Sequence, residues 1–205
     1  MIEAKNIKKV YKEKTVFENL SFFIEAGEMV AITGESGKGK TTLLNCLGQL
    51  EKIDAGEITF NGKVLKPKNL REFFKNEAGY LFQNFALVDN ETVKENLKLV
   101  SKNTEEILAS LKKFQVDDLI DKKIYQLSGG EQQRVALARL ILKKPSIIFA
   151  DEPTASLDNK NRDIVFSALE EMNKEGTTII VVTHDTELAS RFPRQVDLSV
   201  LGDVS

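Results

Sequence analysis

The residues best suited to chemistry lie in Gly34 to Thr41, GESGKGKT. They match G-x-x-x-x-G-K-[ST] at every fixed position, a spacing built for phosphate. Glycines at 34, 37 and 39 let the backbone curl until successive N–H groups point inward. A helix beginning near Lys40 adds the positive end of its dipole to that nest. In such a loop Lys40 reaches the β- and γ-phosphates of a nucleotide, and the Thr41 hydroxyl ligates Mg²⁺. Glu35, Ser36, Lys38 and Thr42 belong to the same cradle. The plain alternative is a glycine-rich turn that happens to contain Lys-Thr.

That loop needs a strand before it and a helix after it. Met29 to Thr33 supplies an apolar strand, and Thr42 to Leu50 a helical pattern. Two more apolar runs, Ser146 to Ala150 (SIIFA) and Thr177 to Thr183 (TTIIVVT), carry no alternation and suit central parallel strands covered on both faces. A helix from about Lys160 to Lys174, with Ile164, Val165, Ala168, Leu169 and Met172 inward, supplies the crossover that parallel strands require. The first part of the chain reads differently. Ile2 to Tyr11 and Val16 to Ile24 are strand-like, separated by a polar turn at Lys12 to Lys14. Gly56 to Leu65 reads as a hairpin closed by Asn61-Gly62. A short amphipathic helix with Leu70, Phe73 and Phe74 follows, then a strand, Gly79 to Phe82.

From Asn84 to about Leu142 the pattern is helical. Thr92 to Val100 opens with a Thr92/Glu95 capping box, and Asn103 to Phe114 places Ile107, Leu108, Leu111 and Phe114 at helical spacing. The expectation is one α/β domain over residues 1–205. Residues 1–83 and 143–205 form its core, and 84–142 an inserted helical lobe.

Four further groups fall around this scaffold. Asp151 and Glu152 follow the SIIFA strand directly, at the strand end where open parallel sheets bind ligands. Asp151 suits the Mg²⁺ shell, and Glu152 suits general-base work on, or positioning of, a water that attacks the γ-phosphate. Leu127 to Glu131, LSGGE, opens a helix with Ser128, Gly129 and Gly130 at its start. Small residues and free N–H groups make that start a second anion site, but the same residues read equally well as a cap and a turn. His184 is the only histidine and follows TTIIVVT, with Asp185 next to it. A contact to phosphate is the reading preferred over a structural histidine. Gln83 ends its strand in a similar position, where an amide orients water or touches Mg²⁺, although glutamines at strand ends are common.

The composition bounds the partners. With 29 basic and 31 acidic residues the net charge is −2, so no global field draws nucleic acid or anionic lipid. Met1 to Tyr11 has no apolar signal-peptide core, and no run approaches the ~20 apolar residues that span a bilayer. The single cysteine, Cys46, can form no internal disulfide and is expected in the core.

Over nearly its whole length the chain resembles the nucleotide-binding subunit of an ATP-binding cassette (ABC) transporter, a P-loop NTPase of RecA-like fold with an antiparallel β subdomain. GESGKGKT is similar to the Walker A loop, Ile147 to Asp151 with Glu152 to the Walker B strand and its catalytic glutamate, and LSGGE to the family signature. Gln83 resembles the Q-loop glutamine, Ser156-Leu157-Asp158 the D-loop and His184 the switch histidine. Tyr11 falls where the family stacks an aromatic on adenine, although a strand-end tyrosine reads as well for packing. Lys38 stands where the family more often has a small residue, and Ala155 where the favoured subgroup has glycine.

The resemblance implies ATP and Mg²⁺ as ligands and a head-to-tail homodimer. In that dimer Ser128 and Gly130 of one copy, with Gly129, Glu131 and Asp158 nearby, close on the γ-phosphate held by the other. It also implies a permease helix seated near Gln83, along Asn84 to Asn96, at the cytoplasmic face of a bacterial membrane. FQNFALVDNETVKENL and LSGGEQQRVALAR resemble the subgroup serving lipoprotein-releasing, macrolide- or bacteriocin-exporting permeases. A transmembrane signalling ATPase is the alternative within the family. A soluble ATPase acting on nucleic acid would bring coiled coils, zinc cysteines or a second cassette, none of which is in this sequence.

Overall fold

The uninterrupted apolar runs become a parallel sheet. The structure is a computed structural model that describes residues 1–155, 157–198 and 203–204. Strands β3 (Met29–Thr33), β6 (Ala78–Leu81), β7 (Ile147–Asp151), β8 (Thr178–Val182) and β9 (Arg194–Asp197) lie in the order β6-β7-β8-β3-β9, all parallel. Val30, Ile32, Phe149, Ile180 and Val182 face one core, shared with helix α1 (Lys40–Leu47). Met29, Ala31, Ile148, Ala150, Ile179 and Val181 face a second core, shared with α5 (Gly129–Lys143) and α6 (Asn159–Lys174). Both faces are covered over the central strands, so β3, β7 and β8 show no polar alternation.

The first core is closed from outside by an antiparallel sheet. It comprises β1 (Ile2–Tyr11), β2 (Lys14–Ile24), β4 (Ala55–Phe60), β5 (Lys63–Val64) and β10 (Asp203–Val204), in the order β10-β2-β1-β4-β5. Asn61 and Gly62 both have positive φ, 49° and 73°, the geometry of a type I′ hairpin turn. Lys14 belongs to β2 and not to the turn, which narrows to Lys12-Glu13. The helix after the phosphate loop stops at Leu47, short of Leu50, because Leu50 and Glu51 turn their N–H groups back onto the Asn45 carbonyl. Cys46, on that helix, is fully buried, and burial pushes its thiol up to about 12.

Helix α2 (Pro67–Glu72) runs into a π-helical turn, Phe73–Glu77, that packs Phe73 against Phe60, the rings tilted at 60° with centroids 4.8 Å apart. Residues 84–142 hold α3 (Val93–Lys98), α4 (Thr104–Lys113) and most of α5, with no strand among them beyond an isolated bridge from Thr92 to Lys123. The capping box of α3 has both halves: Thr92 Oγ1 accepts from the Glu95 N–H, and the Glu95 carboxylate accepts from the Thr92 N–H. Ile107 and Leu111 are buried on α4, whereas Leu108 and, on α6, Ile164 are only half-buried. Three elements carry no sequence pattern noted above: α7 (Thr186–Ser190), β9 and β10.

Candidate functional site

The phosphate loop links β3 to α1 and turns through three left-handed glycines, with φ of 145°, 79° and 86° at Gly34, Gly37 and Gly39. Gly39 is required twice over, since a Cβ there would also lie 2.3 Å from Val16 Cγ1. Lys40 is 7% exposed, and its ammonium donates to the carbonyls of Gly34 (2.8 Å) and Glu35 (2.9 Å), closing the loop into a ring. Helix α1 starts at Lys40 with no side-chain cap and no acidic residue in its first turn. Its leading N–H groups are therefore oriented for an anion, with the helix dipole behind them.

The ends of β7 and β8 bring the other groups to this loop. Asp151 Oδ1 accepts a hydrogen bond from the Thr41 hydroxyl at 3.0 Å. Burial, ahead of its neighbours' charges, raises the Asp151 carboxyl above the usual range. A hydroxyl and a carboxylate converging on one point are hard oxygen donors, and they fit a Mg²⁺ that takes its remaining ligands from water and phosphate. Among the described residues no cluster of three or more His, Cys, Asp or Glu offers a complete metal cage.

Glu152 adopts a left-handed backbone, φ 45°, and its carboxylate turns toward β8. Oε1 accepts from the His184 backbone N–H (2.9 Å) and lies 2.7 Å from His184 Nδ1, while Oε2 accepts from the Thr183 hydroxyl at 2.9 Å. Of roughly four lone-pair positions on a carboxylate, three are used, and one on Oε2 stays open to water.

Tyr11, Lys40, Thr41, Gln83, Glu152 and His184 all line one cavity of about 500 Å³, together with Ser36, Gly37, Gly39 and Thr42. Gly34, Glu35, Lys38 and Asp151 support it from the loop and from β7 without lining it. Tyr11 is 46% exposed; its hydroxyl donates to the Glu51 carboxylate, and the Lys9 ammonium sits 5.0 Å from its ring. Neither Lys9 nor Glu51 carries a sequence signal. Thr183, which the apolar run before His184 merely ends, was equally hidden.

The second expected anion site lies elsewhere. Ser128, Gly129, Gly130 and Glu131 begin α5 and do not line the cavity. That helix start is capped, one of the two readings the sequence left open. Ser128 and Glu131 form a capping box, in which the Glu131 carboxylate accepts from the Ser128 N–H and hydroxyl (both 2.7 Å) and Ser128 Oγ accepts from the Glu131 N–H (3.4 Å). These bonds hold the Glu131 carboxyl below its ordinary range. The pattern S-x-x-E was legible in the sequence. Asp158 caps α6 through the Asn161 N–H at 2.8 Å, and Ser156 lies outside the described residues.

Two side chains of α5 reach across to the loops. Gln133 donates to the Pro153 carbonyl at 3.0 Å, and Arg139 donates to the carbonyls of Phe85 (3.0 Å) and Ala86 (2.8 Å), both left-handed. In the segment after Gln83, expected to receive a permease helix, Val93 and Asn96 are fully buried. The Asn96 amide is satisfied by Val88 and Thr92, so it faces inward and not into a groove.

Comparison with known proteins fits this geometry. The sequence profile of the ABC transporter family matches residues 17–155. The chain belongs to the ABC transporter family. Within that family it is an ATPase, similar to the lipoprotein-releasing system ATP-binding protein LolD of Buchnera aphidicola (39% identical over 209 residues, 94% of this chain and 92% of that one). It is also similar to the macrolide export ATP-binding/permease protein MacB of Campylobacter jejuni (38% over 210 residues), of which it spans 33% while 97% of this chain is covered. A solved ABC cassette, MJ0796 in a dimeric post-hydrolysis state bound to ADP and Pi, superposes with a TM-score of 0.87 at 34% identity, covering 97% of this chain and 94% of that one. The resemblance to the lipoprotein-release and macrolide-export subgroup is thereby supported from sequence relatives as well as motifs.

Proposed function

We propose that this chain binds ATP with Mg²⁺ and hydrolyses it as one half of a homodimer that drives a separate membrane permease, in the export direction. The observation that carries the reading is the convergence, on one cavity, of Lys40, Thr41, Glu152 and His184, with the α5 start lying outside it. One chain therefore has a complete phosphate cradle and a second helix end with no cradle of its own. Two copies related by a two-fold axis satisfy both, since each lends its Ser128–Gly130 to the other's triphosphate.

In this site the Lys40 ammonium leaves the Gly34 and Glu35 carbonyls, or shares itself with them, to hold the β- and γ-phosphates. Thr41 and Asp151 would hold Mg²⁺, which when bound would neutralise developing charge on the phosphates. Glu152 accepts a proton from water through the open position on Oε2, and Thr183 and His184 keep that carboxylate aimed. Gln83 positions water and Tyr11 stacks on adenine, both from the lining of the cavity. Residues 1–83 and 143–205 act as the nucleotide core and 84–142 as the lobe that brings the signature and meets the permease near Gln83. Exposed Val88 and Leu99 lie in that lobe. No described helix is long and apolar enough to cross a membrane, so the assignment to the cytoplasmic face of a bacterial membrane rests on the permease partner. The dimeric MJ0796 cassette and the names of LolD and MacB support the dimer, the permease and the export direction.

Glu152→Gln tests the reading. It should retain ATP binding, lose about 10²–10⁴ in turnover and accumulate as an ATP-bound dimer, measured by phosphate release and sedimentation. Turnover like the parent's, or a strictly monomeric ATP-loaded variant at high concentration, would refute it. His184→Ala should lower turnover by about 10–100-fold at unchanged ATP affinity, because the Glu152 carboxylate loses an orienting partner.

A further inference from the structure

A buried glutamine outside the cavity holds the backbone on which the Glu152 carboxylate stands. Gln133 is 1% exposed, five residues into the helix that Ser128 caps. Its Nε2 donates to the carbonyl of Pro153, which is itself buried and follows Glu152 directly. Fully buried glutamines are uncommon, and burying an amide costs stability unless it is paired, so packing alone would favour an aliphatic residue here.

The turn that Gln133 touches is strained. Glu152 sits at φ 45°, a strained conformation for a residue with a side chain, and it persists only where its surroundings over-determine it. Within the core two backbone bonds do so: the Glu152 N–H donates to the Val182 carbonyl (2.9 Å) and the Ala155 N–H to the Glu152 carbonyl (3.0 Å). Gln133 is a restraint from a different element, acting on the carbonyl one residue on. We propose that Gln133 is a positioning residue for Glu152, fixing the left-handed turn so that its carboxylate meets Thr183 and His184 and leaves one lone pair for water. This rests on the reading of Glu152 as the base. The same helix begins with Ser128–Gly130, so the base of one ATP site is tied by a side chain to the helix end that completes the other.

The test uses Gln133→Met, equal in length and without a donor, and Gln133→Leu as a second variant should the first fold poorly. Turnover should fall at least tenfold with KM for ATP within twofold of the parent. In the Glu152→Gln background the same change should cost less than twofold, since the residue acts through Glu152. Amide hydrogen exchange gives a readout independent of activity: Ala155 should lose protection while the amides of α5 keep theirs. Unchanged turnover, an equal loss in the Glu152→Gln background, a KM that rises as far as kcat falls, or unaltered Ala155 protection would each overturn the proposal. Failure of the base reading is a separate result, seen as parent-like turnover in Glu152→Gln alone.

Discussion

Two helices of this chain start with glycine-rich turns, and they treat an incoming anion in opposite ways. At α1 the cap residue is Gly39, no side chain occupies the leading N–H groups, and the first charged residue is a buried lysine. At α5 the cap is Ser128, and the carboxylate of Glu131 already fills part of the space an anion would take. The first is a finished phosphate site within one chain. On the proposed reading, the second meets a phosphate only when another molecule delivers it, and only with the N–H groups its own capping box leaves over. Strong binding at one end and conditional binding at the other is what an ATP-dependent dimer needs, because a second end as strong as the first would hold nucleotide without a partner.

The contrast can be broken from either side. Lys40→Ala removes the cation of the finished site and should weaken ATP binding to the monomer by about 10- to 100-fold, read by titration calorimetry. Ser128→Arg should leave monomer affinity within about twofold and abolish the ATP-dependent dimer in sedimentation; loss of monomer binding would show that α5 contributes within its own chain. Glu131→Gln sharpens the comparison at smaller scale. Glutamine still closes the box but removes a charge that favours the helix N-terminus, worth about 0.3–1 kcal/mol. Thermal stability at pH 7 should drop slightly, while the ATP-bound dimer tightens for lack of charge repulsion. The sign with pH follows from the lowered Glu131 carboxyl. Its contribution is full above the ordinary glutamate pKa and lost as pH falls through the lowered folded value, so parent and variant should converge in acid. A stability gap that persists below that range would mean the charge is not the cause.

The phosphate cradle was legible in the sequence because each of its residues is fixed by a local demand: positive φ at Gly34, Gly37 and Gly39, then a helix start. The central strands were legible for a related reason, since burial on both faces leaves unbroken apolar runs. Strand β9 was not, because in Arg194–Asp197 only Val196 is buried and the strand is held by backbone pairing to β3. Helix α7 spans five residues, too few for a period to declare itself. The capping box at Ser128 is written in the sequence as S-x-x-E, but the two glycines between its ends suit an anion site as well as a cap. Gln133 and Glu51 had no sequence signal at all. Their partners, Pro153 and Tyr11, are 20 and 40 residues away, and only the fold brings them together.

Cys46 has a practical consequence. Its thiol is sealed in the core with its ionisation pushed to about 12, so at neutral pH it presents almost no thiolate to a maleimide or a disulfide reagent. As the sole cysteine of the sequence, it leaves the exterior chemically silent toward such probes. A fluorophore or spin label attached through one introduced cysteine would report from that point alone, and distances between two labelled copies would show whether the proposed pair forms and breaks through a hydrolytic cycle.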